Sequence, residues 1–106
     1  MDHLEKKALE EQVITVIKTV YDPEIPVDIY ELGLIYEVII DDNAKVHINM
    51  TLTSPNCPAA ESMPAEVEEK VRGIEQVTDF SLEIVFDPTW DQSMMSEEAQ
   101  IELGMI

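Results

Sequence analysis

The sequence predicts a two-layer α+β domain with the element order α-β-β-α-β-(α) around a mixed three-stranded sheet. Two long stretches carry apolar residues every three or four positions, which predicts helices, and three runs alternate or are β-prone, which predicts strands. A short turn joins the first two strands, so they pair antiparallel, whereas a helical connection makes the second and third parallel. The 106 residues suit one domain spanning 1–106.

The first helix is predicted from Leu4 to Val20, with Asp2 as its N-cap. Its apolar stripe comprises Leu9, Val13, Val16, Ile17 and Val20. Two prolines then end the helix, because each restricts the residue before it. The carboxylates of this segment are Asp22, just before Pro23, and Glu24, between Pro23 and Pro26; they are either ligands or acid–base groups, or solvated turn residues. The spacing leaves both interpretations open.

A hairpin follows, with a first strand over Leu34 to Ile40 and a turn over Asp41 to Lys45. Gly33 can supply a positive φ just before it. The second strand starts at Val46 and has two faces: Val46, Ile48, Met50 and Leu52 on one, His47, Asn49, Thr51 and Thr53 on the other. His47 is expected at the surface near the turn, about 20 Å from the far end of the strand, too distant to act as a base there.

The second helix is predicted after Pro58, with apolar positions Ala60, Met63, Val67, Val71 and Ile74. Pro64 conflicts with a continuous helix, so either the helix kinks there or the main helix begins near it. Gly73 suits its end. The third strand is predicted over Val77 to Phe86, with Phe80, Leu82, Ile84 and Phe86 on its apolar face.

The C-terminal segment carries the only tryptophan, Trp90, and the Met94-Met95 pair. These side chains are expected to cover the core, and docking of a partner is the alternative. Ser96 is predicted to cap a short last helix.

The charge balance disfavours several classes of partner. With 23 acidic and 6 basic residues, the formal net charge is −17, which repels nucleic acid and anionic membrane surfaces. No apolar run approaches the roughly 20 residues that span a bilayer. A single cysteine cannot form an internal disulfide, and the polar N-terminus lacks a signal core, so we expect a cytoplasmic protein.

Cys57 is the most suggestive single residue. It stands between the second strand and Pro58, where it is predicted to occupy the N-cap of the second helix. Unpaired backbone N–H groups and the helix dipole lower a thiol pKa at that position. Cysteine is an unusual cap, which favours a reactive or metal-binding thiol; an inert, small buried side chain is the alternative.

Several motifs together, in order and spacing, resemble one family. They are Asp22-Pro23-Glu24, Tyr30-Glu31-Leu32-Gly33-Leu34-Ile35-Tyr36, Thr51-Leu52-Thr53-Ser54-Pro55-Asn56-Cys57-Pro58, Phe86-Asp87-Pro88, Trp90-Asp91 and Met95-Ser96-Glu97-Glu98-Ala99. The chain thus resembles the MIP18 family, also called the domain-of-unknown-function 59 group (DUF59), whose bacterial single-domain members are called SufT. The resemblance implies a non-enzymatic role in iron–sulfur cluster assembly, as a carrier of clusters or as an adaptor for apo-targets.

Carried onto this sequence, the resemblance implies a cofactor site at Cys57, the metal ligand, with Thr51, Thr53, Asp22 and Glu24 around it. Iron–sulfur clusters usually take four thiolates, so a single cysteine implies at most a labile cluster or iron, held between subunits of a homodimer. The implied partners are iron–sulfur assembly proteins and apo-iron–sulfur targets. A metal-free adaptor that docks through its acidic surface and Trp90 is the alternative. A small cysteine-dependent enzyme is disfavoured because no base or resolving cysteine is evident.

Overall fold

The computed structural model describes residues 2–22, 25–53 and 62–104. Its elements in chain order are α1 (His3–Ile17), β1 (Ile35–Ile40), β2 (Lys45–Met50), α2 (Ser62–Arg72), β3 (Asp79–Ile84), a 3-10 turn (Gln92–Met94) and α3 (Glu97–Glu102). The predicted α+β class and the order α-β-β-α-β-α are therefore confirmed.

The sheet is mixed, with the strand order β1-β2-β3. The antiparallel pairing of β1 with β2 aligns Ile39 with His47, and the parallel pairing of β2 with β3 aligns His47 with Ser81. A β-bulge interrupts the first pairing between Ile35 and Glu37. The apolar face of the sheet shares one hydrophobic core with the buried stripes of α1 and α2, so both helices lie on that side.

Helix α1 begins as predicted and ends earlier. The Asp2 carboxylate accepts a hydrogen bond from the Glu5 amide at 2.8 Å and caps the helix. The expected end was Val20, but α1 stops at Ile17 because the following amides bond three residues back, including Val20 to Ile17 at 3.0 Å. Val20 is fully buried all the same, so the apolar stripe extends one turn beyond the helix.

The hairpin turn is held by one aspartate. The Asp41 carboxylate accepts hydrogen bonds from the amides of Asn43 and Lys45 at 2.8 and 3.0 Å. Ala44 adopts a φ of +62° within this turn, and its side chain is buried. The predicted turn is therefore confirmed over residues 41–44, with a side chain as its organising group, and Lys45 already belongs to β2.

Pro64 creates no kink in the described helix. It is the third residue of α2, in the first turn, where a missing N–H costs little. Met63, Val67 and Val71 are buried as predicted, and Gly73 follows directly after the last helical residue. The expected helix start at Pro58, with Cys57 as its cap, lies outside the described residues.

Phe86 corrects the sequence interpretation of the third strand. It was expected on the apolar face, but 46% of its surface is exposed. β3 ends at Ile84, and the Val85 amide makes the final bond of the ladder, to the carbonyl of Met50, which is the last residue of β2. No described strand pairs with the chain beyond Val85, so Phe86 lies outside the sheet.

The C-terminal segment wraps the turn that precedes β1. The indole N–H of Trp90 donates to the Leu32 carbonyl at 2.7 Å, and the Ser96 amide donates to the Glu31 carbonyl at 2.8 Å. Met95 is buried. Ser96 caps α3, as predicted, by accepting a bond from the Ala99 amide. The structure thus favours core cover over docking for Trp90.

Candidate functional site

The predicted site begins where β2 ends. Thr51 comes directly after the last strand residue and is fully buried. The sequence pattern placed Thr51 on the polar face of a strand that continued to Thr53. The strand instead stops at Met50, and the Thr51 amide donates to the carbonyl of Leu34, in the turn before β1, at 2.8 Å.

A series of backbone hydrogen bonds links Thr51 to the segment that carries Asp22. Leu34 accepts from Thr51 and donates to Ile29 at 3.1 Å, and Ile29 donates to Val20 at 2.9 Å. An isolated bridge between Tyr21 and Asp28 extends the series to the residue before Asp22. Backbone hydrogen bonds thereby connect both the segment after β2 and the segment after α1 to the turn that precedes β1.

Both described ends of this series carry buried polar side chains. Asp22 is only 3% exposed, so the interpretation as a solvated turn residue is wrong for this carboxylate. Within the described parts of the chain, the Thr51 hydroxyl oxygen is fully buried and has no hydrogen-bond partner. Burying a hydroxyl in this way costs free energy, and such groups commonly mark sites of function.

The remaining predicted site residues divide into two groups. Thr53 is described and half-buried. Glu24 and Cys57 lie outside the described residues, so their predicted roles stay predictions. The structure therefore describes the surroundings of Asp22 and Thr51, and the role of Cys57 as a metal ligand stays a prediction.

His47 was expected at the surface near the hairpin turn, and the structure gives its side chain hydrogen-bond partners there. It is half-buried, with Nδ1 2.6 Å from the Ser81 hydroxyl and Nε2 2.8 Å from Oδ1 of Asn49. The Asn49 amide in turn donates to the Glu37 carboxylate at 3.3 Å. This hydrogen-bonded row crosses all three strands on the sheet face opposite the helices, and it occupies both imidazole nitrogens.

The carboxylates with shifted pKa values belong to turns and helix ends. Backbone hydrogen bonds from Lys45 and Asn43 lower the pKa of Asp41, and the ion pair with Lys6 lowers that of Asp42. Hydrogen bonds from the Ser93 side chain and amide lower the pKa of Asp91. Each of these shifts stabilises a local structure, and none involves a predicted site residue.

The described residues do not form a metal site by themselves. Among residues 2–22, 25–53 and 62–104, no three histidine, aspartate or glutamate side chains converge in a way that could hold a metal ion. A cluster bound here would need Cys57 and ligands from elsewhere, such as a partner or a second subunit.

A groove on the open face of the sheet was missed by the sequence analysis. It measures about 650 Å³ and is lined by Gly33, Ile35, Tyr36, Glu37, Asn49, Val85, Asp87, Pro88 and Met94. The strand pattern did place Asn49 on the polar face of the second strand. Only the observed register and the path of the C-terminal segment bring it together with Glu37 and Asp87.

The element order and the sheet topology fit the class of protein that the motifs indicated. The chain belongs to the family described as iron-sulfur cluster assembly protein, whose sequence model matches residues 10–84.

Particular relatives agree with this membership. The chain is 46% identical over 97 residues to a protein of Porphyromonas gingivalis named Fe-S protein maturation auxiliary factor, covering 92% of each chain. It is 40% identical over 86 residues to the Fe-S protein maturation auxiliary factor SufT of Staphylococcus aureus, covering 81% of this chain and 98% of that one. The resemblance to the DUF59 and SufT proteins is confirmed.

A solved structure supports the fold as well. A crystal structure of a DUF59 protein from Bacillus anthracis superposes with a TM-score of 0.90 at 33% identity, covering 99% of this chain and 100% of that one. In the part of the present chain that the structure describes, no helix is long and apolar enough to cross a membrane.

Proposed function

We propose that this chain is a non-enzymatic maturation factor that helps to deliver iron–sulfur clusters to apo-proteins. Family membership and the names of relatives as maturation auxiliary factors support this role. The observation in the structure that best supports a site is the buried Thr51 hydroxyl, which no described residue satisfies. We place the site at the end of β2 and assign to it Cys57, Thr51, Thr53, Asp22 and Glu24.

In this proposal the cluster is cargo and Cys57 contacts it transiently. One thiolate holds a cluster weakly, which suits transfer better than storage or electron transport. The carboxylate of Asp22 and the hydroxyl of Thr51 would offer oxygen contacts beside that thiolate. The partners we propose are cluster-assembly proteins and apo-targets, met in the cytoplasm, and a second copy of the chain could complete the ligand set.

Complementation tests the role. In cells that lack their own relative of this chain, we expect the wild-type chain to restore the activity of an iron–sulfur enzyme. Cys57→Ala should fail to restore it, whereas Ser81→Ala, which removes a hydroxyl from the sheet, should restore it as the wild type does. Full restoration by Cys57→Ala would show that the thiol is not central.

Anaerobic purification separates a carrier from an adaptor. A carrier should copurify with iron and sulfide, and Cys57→Ala should lose both. An adaptor should contain neither and should still support maturation. Iron-free protein that restores enzyme activity without Cys57 would therefore favour the metal-free alternative.

A further inference from the structure

The groove on the open face of the sheet is built from two parts of the chain. Strand residues Glu37 and Asn49 and the residue after β3, Val85, form one side; Asp87, Pro88 and Met94 of the C-terminal segment form the other. Its volume of about 650 Å³ lies within the range of specific binding sites. Because the helices pack on the opposite face, this groove is separate from the buried core.

The lining combines apolar and acidic groups. Ile35 and Val85 supply aliphatic surface, and Tyr36 supplies an aromatic ring at the β-bulge. The Tyr36 hydroxyl donates to the Pro88 carbonyl at 2.7 Å, so this ring is fixed against the C-terminal segment. Glu37 and Asp87 add two carboxylates, and none of the lining residues is a lysine or arginine.

Most of the chain's own basic residues form ion pairs with carboxylates outside the groove. Ion pairs use Lys6, Lys18, Lys45, Lys70 and Arg72, which are five of its six basic residues. Their partners are other carboxylates, so among the described residues no ion pair includes Glu37 or Asp87. Glu37 has a neutral partner, the Asn49 amide at 3.3 Å. The groove therefore presents uncompensated negative charge beside apolar surface.

We propose that this groove binds an arginine-bearing segment of a partner protein. The aliphatic stem would pack on Ile35 and Val85, and the guanidinium would meet the carboxylates of Glu37 and Asp87. Arginine fits better than lysine because its planar group also stacks on an aromatic ring, here Tyr36.

A peptide segment suits the surroundings of the groove better than a free small cation does. Phe86 is adjacent in sequence to the lining residues Val85 and Asp87 and exposes 46% of its surface, so a segment longer than one residue has further apolar surface next to the groove. This proposal uses none of the residues assigned to the Cys57 site. Its failure would leave the maturation role untouched.

Nuclear magnetic resonance can locate the binding directly. The full chain is titrated with the blocked peptide acetyl-Gly-Ala-Arg-Ala-Gly-amide, and amide shifts are followed. We expect the shift changes to concentrate at residues 33–37, at Asn49 and at residues 85–94. Replacing the arginine by citrulline, which has nearly the same shape without the charge, should abolish them.

Paired variants separate local recognition from general attraction. Glu37→Gln with Asp87→Asn should weaken peptide binding by about tenfold, because two charge-assisted hydrogen bonds are lost. Glu11→Gln with Glu75→Gln removes the same charge from another groove, between α1 and the segment that follows α2, and should change binding less than about twofold. Equal weakening in both pairs would overturn the proposal.

Three other results would also overturn it. These are shift changes spread over the acidic helix surfaces, equal binding of the citrulline peptide, and shift changes too small to detect at about 1 mM peptide. Spermidine that reproduces the peptide's shift changes at equal concentration would assign the groove to small cations instead of a protein segment.

Discussion

Thr51 has the least satisfied environment among the described polar side chains of the candidate site. Its backbone is anchored by the bond to Leu34, while its buried hydroxyl has no partner in the described part of the chain. A valine would fill the same space without a polar atom. The hydroxyl therefore has no stabilising role that the described residues reveal, which supports a functional one.

Substitutions at Thr51 should separate stability from function. Thr51→Val should leave the free energy of unfolding unchanged or raise it by about 1 kcal/mol, because it removes a buried hydroxyl that no described residue satisfies. It should nevertheless impair maturation in the complementation assay. Urea denaturation of the purified protein measures the first effect.

Thr51→Ser is the matched control. It keeps the hydroxyl and loses a methyl group, so we expect maturation to persist while stability falls by about 1 kcal/mol. If the valine variant matures targets normally and the serine variant does not, the hydroxyl plays no part in the site.

Asp41 gives a pH-dependent prediction at the same scale. Its pKa is lowered in the folded chain by the Lys45 and Asn43 amides, so its contribution to stability is present above its ordinary pKa of 3.8. That contribution is lost as pH falls through the lower folded value. The stability difference between wild type and Asp41→Ala should therefore shrink as pH is lowered from about 5 to about 3.

Urea denaturation at several pH values checks this prediction. Glu10→Ala, a substitution of an exposed helical carboxylate, serves as the comparison and should show a pH trend close to that of the wild type. A difference between wild type and Asp41→Ala that stays constant across the range would mean that the ionised carboxylate does not hold the turn.

At the scale of elements, the turn over residues 28–33 joins the parts of the site. It contacts the segment before Asp22, leads into Leu34, which binds Thr51, and is wrapped by the C-terminal segment through Trp90. Gly33 closes the turn with a φ of +80°, and a Cβ there would overlap the Met94 carbonyl oxygen. The turn therefore needs glycine for both conformation and space.

Gly33→Ala should lower the free energy of unfolding by about 3 kcal/mol, from backbone strain together with the overlap. Gly104→Ala isolates the strain, because Gly104 has a φ of +76° and nothing within 4 Å of an added Cβ. We expect that control to cost about 1 kcal/mol in denaturant unfolding. Equal costs would show that the contact with Met94 does not constrain the turn.

The elements themselves were predictable because their signals are local. Periodicity identified the buried stripe of α1, and the change from alternation to helical spacing separated β2 from α2. Element ends were less predictable. The early end of α1 depends on local three-residue turns, and the end of β2 depends on Leu34, which lies far from Thr51 in sequence. Neither is encoded in the spacing of apolar residues.

At the scale of the whole molecule, the motifs proposed the site residues but did not predict their surroundings. The resemblance named Asp22 and Thr51, but their burial results from the series of bonds through the turn. The row from Ser81 through His47 to Glu37 depends on register, which strand patterns do not specify between distant segments. These contacts arise from the pairing of segments that are distant in sequence, which local sequence patterns do not predict.

Cluster delivery in a purified system tests the central claim most directly. An apo-iron–sulfur enzyme is incubated anaerobically with a cluster-loaded assembly protein, and its recovered activity is followed over time. We expect the wild-type chain to accelerate recovery and Cys57→Ala to give the rate seen without any added chain. Recovery at the same rate with or without the wild-type chain would contradict its role as a maturation factor.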